Sequence, residues 1–283
     1  MKVAIVTSSG SRLDKKEAEK LGIYVVPLQV TIEGKSELEG ETIGINEVYE
    51  QVALEKDVKT SLPPVGIIEE LFRELKKEYD MIFAIPICLG LSGTIGTMQM
   101  VANDLEIPFD YLDCYSTFYV ERYLAIKAKA LFDQGKSVDE VKVILQQAAD
   151  LSDTMIIPND LKHLARGGRI TNAVALLGGL LKIKPVLHLD KTTAGRIDNL
   201  DKVRTMKKAI ARCIEWMKDK NVDESYVIMC GHIYDEEMGM LGYNMMKEAF
   251  PNNEMLFEQI CSVVGVHTGV GCIGFQYIKR IND

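Results

Sequence analysis

Residues 82–105 place the tightest constraint on how this chain can fold. An apolar run from Ile82 to Ile87 meets the glycine-rich turn "GLSGT" at 90–94, after which Ile95, Met98, Ala102 and Leu105 recur at helical spacing. Strand, glycine turn and helix in that order aim free backbone N–H groups at an anion. The same alternation fills the first half of the chain. "KVAIVT", "DMIFAIPI" and "PFDYLDC" read as strands, and "RLDKKEAEKLG" reads as a short helix ended by Gly22. "PPVGIIEELFRELKKEY" puts Ile68, Leu71, Phe72 and Leu75 on one helical face. Tyr119, Tyr123, Ile126 and Ala130 mark a helix stopped near Gly135, and Ser137 with Glu140 predicts a capping box for the next one. "IYVVPLQVTIEGKS" is extended or a hairpin, with Pro27 at an edge or bulge. Such alternation predicts a parallel sheet covered on both faces.

Beyond about residue 155 the pattern changes. Strands read from "LLKIKPVLHLDKTTAGRIDNL", "SYVIMCGHI", "EMLFEQIC" and "GCIGFQYIK" are flanked by a few helices, which predicts an α+β unit with a mainly antiparallel sheet. The expected organisation is an α/β N-terminal lobe over residues 1–155 and an α+β C-terminal lobe over 156–283, with a ligand cleft between them.

Composition excludes several classes. A net charge of −8 argues against a general nucleic-acid binder. No apolar stretch approaches the roughly 20 residues that span a bilayer, and the charged N-terminal segment is unlike a signal peptide, so a cytoplasmic protein is expected. Six scattered cysteines without a C-x-x-C pair suit reduced, buried thiols. His163, His188, His232 and His267 lack metal-ligand spacing, so no metal is expected.

Three polar turns can converge at the carboxyl ends of the strands, where doubly wound sheets bind ligands. They are "TSSGSRL" with Thr7, Ser8, Ser9 and Ser11, "KTSLPP" with Thr60 and Ser61, and "GLSGT" with Ser92, Gly93 and Thr94. Each alone also reads as a helix cap. No lysine follows the glycines as a P-loop requires, so a singly charged carboxylate suits these groups better than phosphate. Charge-assisted hydrogen bonds contribute roughly 1.5–3 kcal/mol each, whereas burying about 15 methylenes contributes on the order of 12 kcal/mol before costs. An apolar tail would therefore supply the affinity and the polar turns the orientation. The 13 methionines, several of them clustered, offer flexible lining for that tail, although core filling is the commoner use. The loop "GVHTGVGCIG" adds His267 and Thr268 between extended segments, and "ARGGRI" adds Arg166 and Arg169, either as a solvated turn or as a meeting point for an anionic partner. The rival reading is a serine-dependent hydrolase or transferase acting on an acyl substrate, with Ser8, Ser61 or Ser92 as nucleophile and His267 as base. It lacks a G-x-S-x-G elbow and an acidic orienter. A ligand-sensing regulatory protein is a third reading.

Taken together, "KTSLPP", "GLSGT", "HLARGGRITNAVALLGGLLKIKPVL" and "GVHTGVGCIG" resemble, in order, motifs of the DegV family of fatty-acid-binding proteins. The resemblance implies a two-lobed DegV-like fold with a small β insertion near residues 25–50 and a long-chain fatty acid held between the lobes. It places the carboxylate at Thr60 or Ser61, Ser92, Gly93 and Thr94, with His267 and Thr268 nearby. It further implies an acyl-binding subunit with no cofactor and no catalysis of its own. A separate ATP-binding fatty acid kinase subunit would phosphorylate the acid for phospholipid synthesis, with Arg169 supporting the partner or the phosphoryl group and membrane contact at most transient. Thr7 departs from the family's usual Asp, Leu62 from Gln and Val270 from Pro.

Overall fold

The computed structural model describes residues 1–175 and 183–282. The "LLGGLLK" part of the resemblance, residues 176–182, lies outside the described residues. The N-terminal half runs β1 (Val3–Ser8), α1 (Lys15–Leu21), β2 (Ile23–Val26), β3 (Gln29–Ile32), β4 (Lys35–Leu38), α2 (Ile45–Ala53), β5 (Val58–Ser61), α3 (Val65–Leu75), β6 (Met81–Ala84), α4 (Thr94–Asp104), β7 (Phe109–Tyr111), α5 (Tyr119–Asp133) and α6 (Val138–Asp150). The second half runs β8 (Asp153–Ile157), α7 (Leu161–Arg166), α8 (Asn172–Ala175), β9 (Lys184–Leu189), β10 (Asp198–Val203), α9 (Met206–Asp219), β11 (Tyr226–His232), α10 (Glu236–Ala249), β12 (Glu254–Gln259), α11 (Ser262–Thr268) and β13 (Ile273–Lys279).

The first sheet is wholly parallel, in the order β2-β1-β6-β7. Every residue of β1 is buried because helices cover both faces. Ala4, Val6, Ile82 and Ala84 face α3 and α4, packing with Ile68, Phe72, Met98 and Val101. Val3, Ile5 and Phe83 face the other way, into a core shared with α5 and with the second half of the chain. In α4, Ile95, Met98 and Ala102 are buried as their spacing predicts, and Ser137 and Glu140 form the expected capping box. The buried face of α5 is only partly the expected one, with Tyr119 buried as its spacing predicts. Val120, Leu124, Ala125, Ala128 and Leu131 are buried, whereas Tyr123, Ile126 and Ala130 only flank the core. The stripe is displaced because β1 claims the Val120–Leu124 side.

The second sheet has the order β10-β9-β8-β13-β11-β12, antiparallel except for the pair β11–β12. The change of pattern near residue 155 falls inside β8. The small insertion is a three-stranded antiparallel sheet, β4-β3-β5. It reaches Ser61 and does not stop near residue 50, because β3 takes a second partner from "VKTS". Thr60 and Ser61 are therefore strand residues, not loop residues.

Candidate functional site

The cavity between the two main sheets has a volume of about 550 Å³, inside the range of small-molecule sites. Leu28, Ile87, Phe118, Ile156, Met229 and Ile260 are among its apolar walls. Thr60, Ser61, Ser92, Gly93, Arg169, His267 and Thr268 also line it. The two kinds of wall are segregated. Ser61, Leu62, Leu89 and Gly93 are exposed, which puts the mouth at β5 and the turn after β6, whereas Phe118, Met229 and Gln276 lie deep and are buried.

Deep polar side chains offer a ligand nothing. The Gln276 amide nitrogen donates to Ser116 Oγ, Thr117 O and Thr154 Oγ1 at 3.1, 2.9 and 2.9 Å, and its oxygen accepts from Tyr119 N at 3.0 Å. Thr117 Oγ1 donates to Glu121 at 2.8 Å. With these hydrogen bonds made, Gln276 and Thr117 have no free donor for a buried head group.

The rim is assembled from distant parts of the chain. Thr60 Oγ1 lies 2.7 Å from His267 Nε2, linking β5 to α11 across 207 residues. Ser92 Oγ lies 2.8 Å from Thr94 Oγ1. Thr94 is fully buried and does not itself line the cavity, so its hydroxyl orients Ser92. Gly93 is the N-cap of α4, whose first amides have no partner within the helix. Thr268 bonds its own helix through Val264 O at 2.9 Å. Arg169 donates to Gly167 O at 2.6 Å and to Leu91 O at 3.4 Å. Arg196, which the sequence patterns did not single out, also lines the cavity and donates to Ile170 O at 3.0 Å. Both guanidiniums are thus held by carbonyls, with no carboxylate in a salt bridge to either among the described residues.

Two glycines permit this assembly. A Cβ at Gly90 would sit 2.4 Å from Ala194 O, because the turn after β6 presses on the β9–β10 connection. A Cβ at Gly167 would come within 2.7 Å of His267 Nδ1, so the "ARGGRI" turn lies against the imidazole.

Burial, with Arg169 and then His163 nearby, lowers the His267 pKa to about 4. The ring is neutral at neutral pH and holds one N–H, the tautomer deciding whether it or Thr60 donates. A bound carboxylate would raise that value by opposing Arg169. The His267 NMR titration of the ligand-free protein is therefore expected to have its midpoint near pH 4, moving upward on loading with an acid. A ligand-free midpoint near the ordinary 6.5 would show that the ring is hydrated.

Several expectations need correction. His267 and Thr268 lie on a helix, not in a loop between extended segments. Among the described residues, the "TSSGSRL" turn presents no side chain to the cavity. Its Thr7 and Ser8 hydroxyls donate to Glu121 Oε1 at 2.9 and 2.6 Å, and Ser9 donates to Glu39 at 2.5 Å. The clustered methionines are core or surface residues, and Met229 lines the cavity instead. His267 bonds Thr60, Ser8 is committed to Glu121 and Ser92 to Thr94, and no carboxylate among the described residues is hydrogen-bonded to the imidazole.

Sequence patterns also missed two buried acids. Glu39 accepts from Ser262 Oγ at 2.6 Å and Val263 N at 2.9 Å, capping α11. Glu121 accepts four bonds, from Thr7, Ser8 (amide and hydroxyl) and Thr117, at the end of β1. Neither acid lies in a recognisable motif, so only the fold reveals them.

The two-lobed α/β architecture, with an apolar cavity and a polar rim, defines a small-molecule-binding class. The chain belongs to the DegV family: the model described as "Uncharacterised protein, DegV family" matches residues 2–280. It is 32% identical over 292 residues to the DegV domain-containing protein lin2658 of Listeria innocua, covering 98% of each chain. Among solved structures it resembles the fatty acid binding DegV family protein SAG1342 of Streptococcus agalactiae, with a TM-score of 0.90, 28% identity and 99% and 100% of the two chains covered. It also resembles DegV of Bacillus subtilis, a fatty acid binding protein, with a TM-score of 0.86, 29% identity and the same coverage.

Proposed function

We propose that this protein binds a long-chain fatty acid, with the hydrocarbon in the cavity and the carboxylate at the rim formed by Thr60, Ser61, Ser92, the α4 amides beside Gly93, and His267. The observation that carries the reading is the segregation of the walls. Among the described residues, the α4 amides and the Ser61 and Ser92 hydroxyls stand at the mouth, and the deep polar groups have spent their hydrogen bonds on one another. Relatives described as fatty acid binding proteins support the same ligand class.

The finer reading is that the chain is a carrier and not a catalyst. It would present the carboxylate to a separate ATP-binding kinase, whose γ-phosphoryl group passes to a carboxylate oxygen, giving an acyl phosphate and ADP for lipid metabolism. Arg169, charged and held at the mouth, suits the phosphoryl group or the partner. A cytoplasmic location with transient membrane contact fits this role. None of the helices among the described residues is long and apolar enough to cross a membrane.

Mass spectrometry of an organic extract from denatured protein tests the ligand. One equivalent of fatty acid per chain is expected. An empty extract, from protein that also fails to bind added palmitate, would overturn the reading.

A further inference from the structure

On the sheet face turned away from the cavity, Asp153 of β8, His188 of β9 and Asp190 just beyond β9 converge. One possible ligand atom from each lies within 4.8 Å of the others, and all three residues are buried. Thr154 and Ile156 line the cavity, so alternation sends Asp153 and Met155 to the opposite side, and the register pairs Met155 with His188. The two carboxylates have different surroundings. Asp190 Oδ1 accepts from Thr192 N, Thr192 Oγ1 and Thr193 N at 2.7, 2.6 and 3.1 Å. Asp153 Oδ2 accepts from Trp216 Nε1 at 2.8 Å and lies 3.3 Å from His188 Nδ1. Among the described residues, Asp153 Oδ1 is buried with no hydrogen-bond partner, on a residue only 2% exposed. A buried carboxylate oxygen without a donor is costly and calls for an explanation.

Neighbouring basic groups do not supply one. Lys191 pairs with Asp150, Arg212 of α9 pairs with Asp201, and Lys220 sits over the Trp216 ring. A further carboxylate, Asp198, stands opposite His188 in the register of β10. The site thus gathers negative charge with no lysine or arginine paired to Asp153 or Asp190 among the described residues.

We infer that Asp153, His188 and Asp190 bind a single divalent cation of the zinc class, with water completing the coordination. Mixed imidazole and carboxylate donors suit zinc, at about 2.0–2.2 Å from each ligand atom. The unpartnered Asp153 oxygen becomes a ligand, while the Trp216 N–H and the Thr192 and Thr193 amides orient the two carboxylates from behind. Asp153 and His188 are 35 residues apart, which is why no metal spacing is visible in the chain. The site lies across the sheet from the cavity and is independent of the fatty acid reading.

The test uses the full chain, stripped with a chelator and then exposed to zinc sulfate. Plasma mass spectrometry after gel filtration is expected to find one zinc per chain. Tm is expected to rise by about 5 °C at a hundredfold excess over Kd. Asp153→Asn and Asp190→Asn, each nearly isosteric, should lose both effects, and either variant alone suffices if the other does not fold. Absence of retained zinc with an unmoved Tm would assign the cluster to a protonated His188 balancing the acids and overturn the proposal. Equal zinc retention by a folded variant would place the metal elsewhere, on the cysteines for instance, and overturn it as well.

Discussion

Ile156→Trp is expected to reduce affinity for a long-chain fatty acid a hundredfold or more, while Ser92→Ala reduces it roughly tenfold. Ile156 lines the deep part of the cavity and is 7% exposed. An indole there displaces about four methylenes of ligand at about 0.8 kcal/mol each, on the order of 3 kcal/mol. Ser92 sits on the half-exposed rim, where water substitutes for its hydroxyl, so its loss falls near the low end for a charge-assisted bond, about 1.5 kcal/mol. Titration of delipidated protein with palmitate and with a shorter acid checks the ranking. A short acid that ends before Ile156 should bind both wild type and Ile156→Trp alike. Equal losses from the two substitutions would mean that the head group, not the tail, dominates affinity.

Glu121→Ala is expected to destabilise the fold by at least about 3 kcal/mol, because it orphans several buried donors at once. The carboxyl group lies 2.9, 3.1, 2.6 and 2.8 Å from Thr7 Oγ1, Ser8 N, Ser8 Oγ and Thr117 Oγ1, and it is completely buried. It joins the end of β1 to α5, and through Thr117 it reaches the cavity wall. Burial raises its pKa to about 7, even though its hydrogen bonds with Ser8, Thr117 and Thr7 pull the other way. The folded state therefore keeps a proton on Glu121 between about 4.5 and 7 that the unfolded chain releases. Its contribution to stability is fully present below about pH 4.5 and is lost as pH rises to 7, by an amount on the order of 3 kcal/mol. His267 acts with the opposite sign. Its lowered value of about 4 gives a contribution present above pH 6.5 and lost as pH falls through 4. Urea denaturation of wild type and Glu121→Gln at pH 5 and pH 8 isolates the Glu121 part. The wild type should lose stability relative to the variant on going from pH 5 to pH 8. A difference independent of pH would show that Glu121 is ionised throughout.

Glu121 also gives the threonine at position 7 a physical sense. Thr7 Oγ1 lies 2.8 Å from Ile85 O and 2.9 Å from Glu121 Oε1, within reach of both acceptors for its single O–H. An aspartate there would set a second carboxylate against a buried acid, whereas threonine supplies a hydroxyl.

Local chemistry made much of the fold legible. The first strand, the α3 stripe and the Ser137–Glu140 box depend on neighbours within a few residues, and patterns of that range are visible in a sequence. What stayed hidden depends on partners far along the chain. α11 is the clearest case, since "SVVGVHT" is rich in β-branched residues and carries a glycine. It is helical because Glu39 caps its start across 223 residues, and because the Tyr49 ring occupies the place a side chain at Gly265 would need. Tyr49 OH also bonds Ile260 O and Cys261 O, fixing where that helix begins. The rim was legible in part for the same reason. Thr60, Ser61, Ser92 and His267 stood out by type and motif, but their convergence depends on close backbone approach at Gly90 and Gly167. Arg196 carried no local signal, and only the packing of the β9–β10 connection against the turn after β6 brings it to the cavity.

A crystal structure of the protein as purified, without delipidation, tests the central claim most directly. Unbranched tubular density should run inward from Thr60, Ser92 and His267 towards Met229, with its two-oxygen end at the rim. Ordered water alone, a compact polar occupant, or a head group turned inward beside Gln276 would contradict the account.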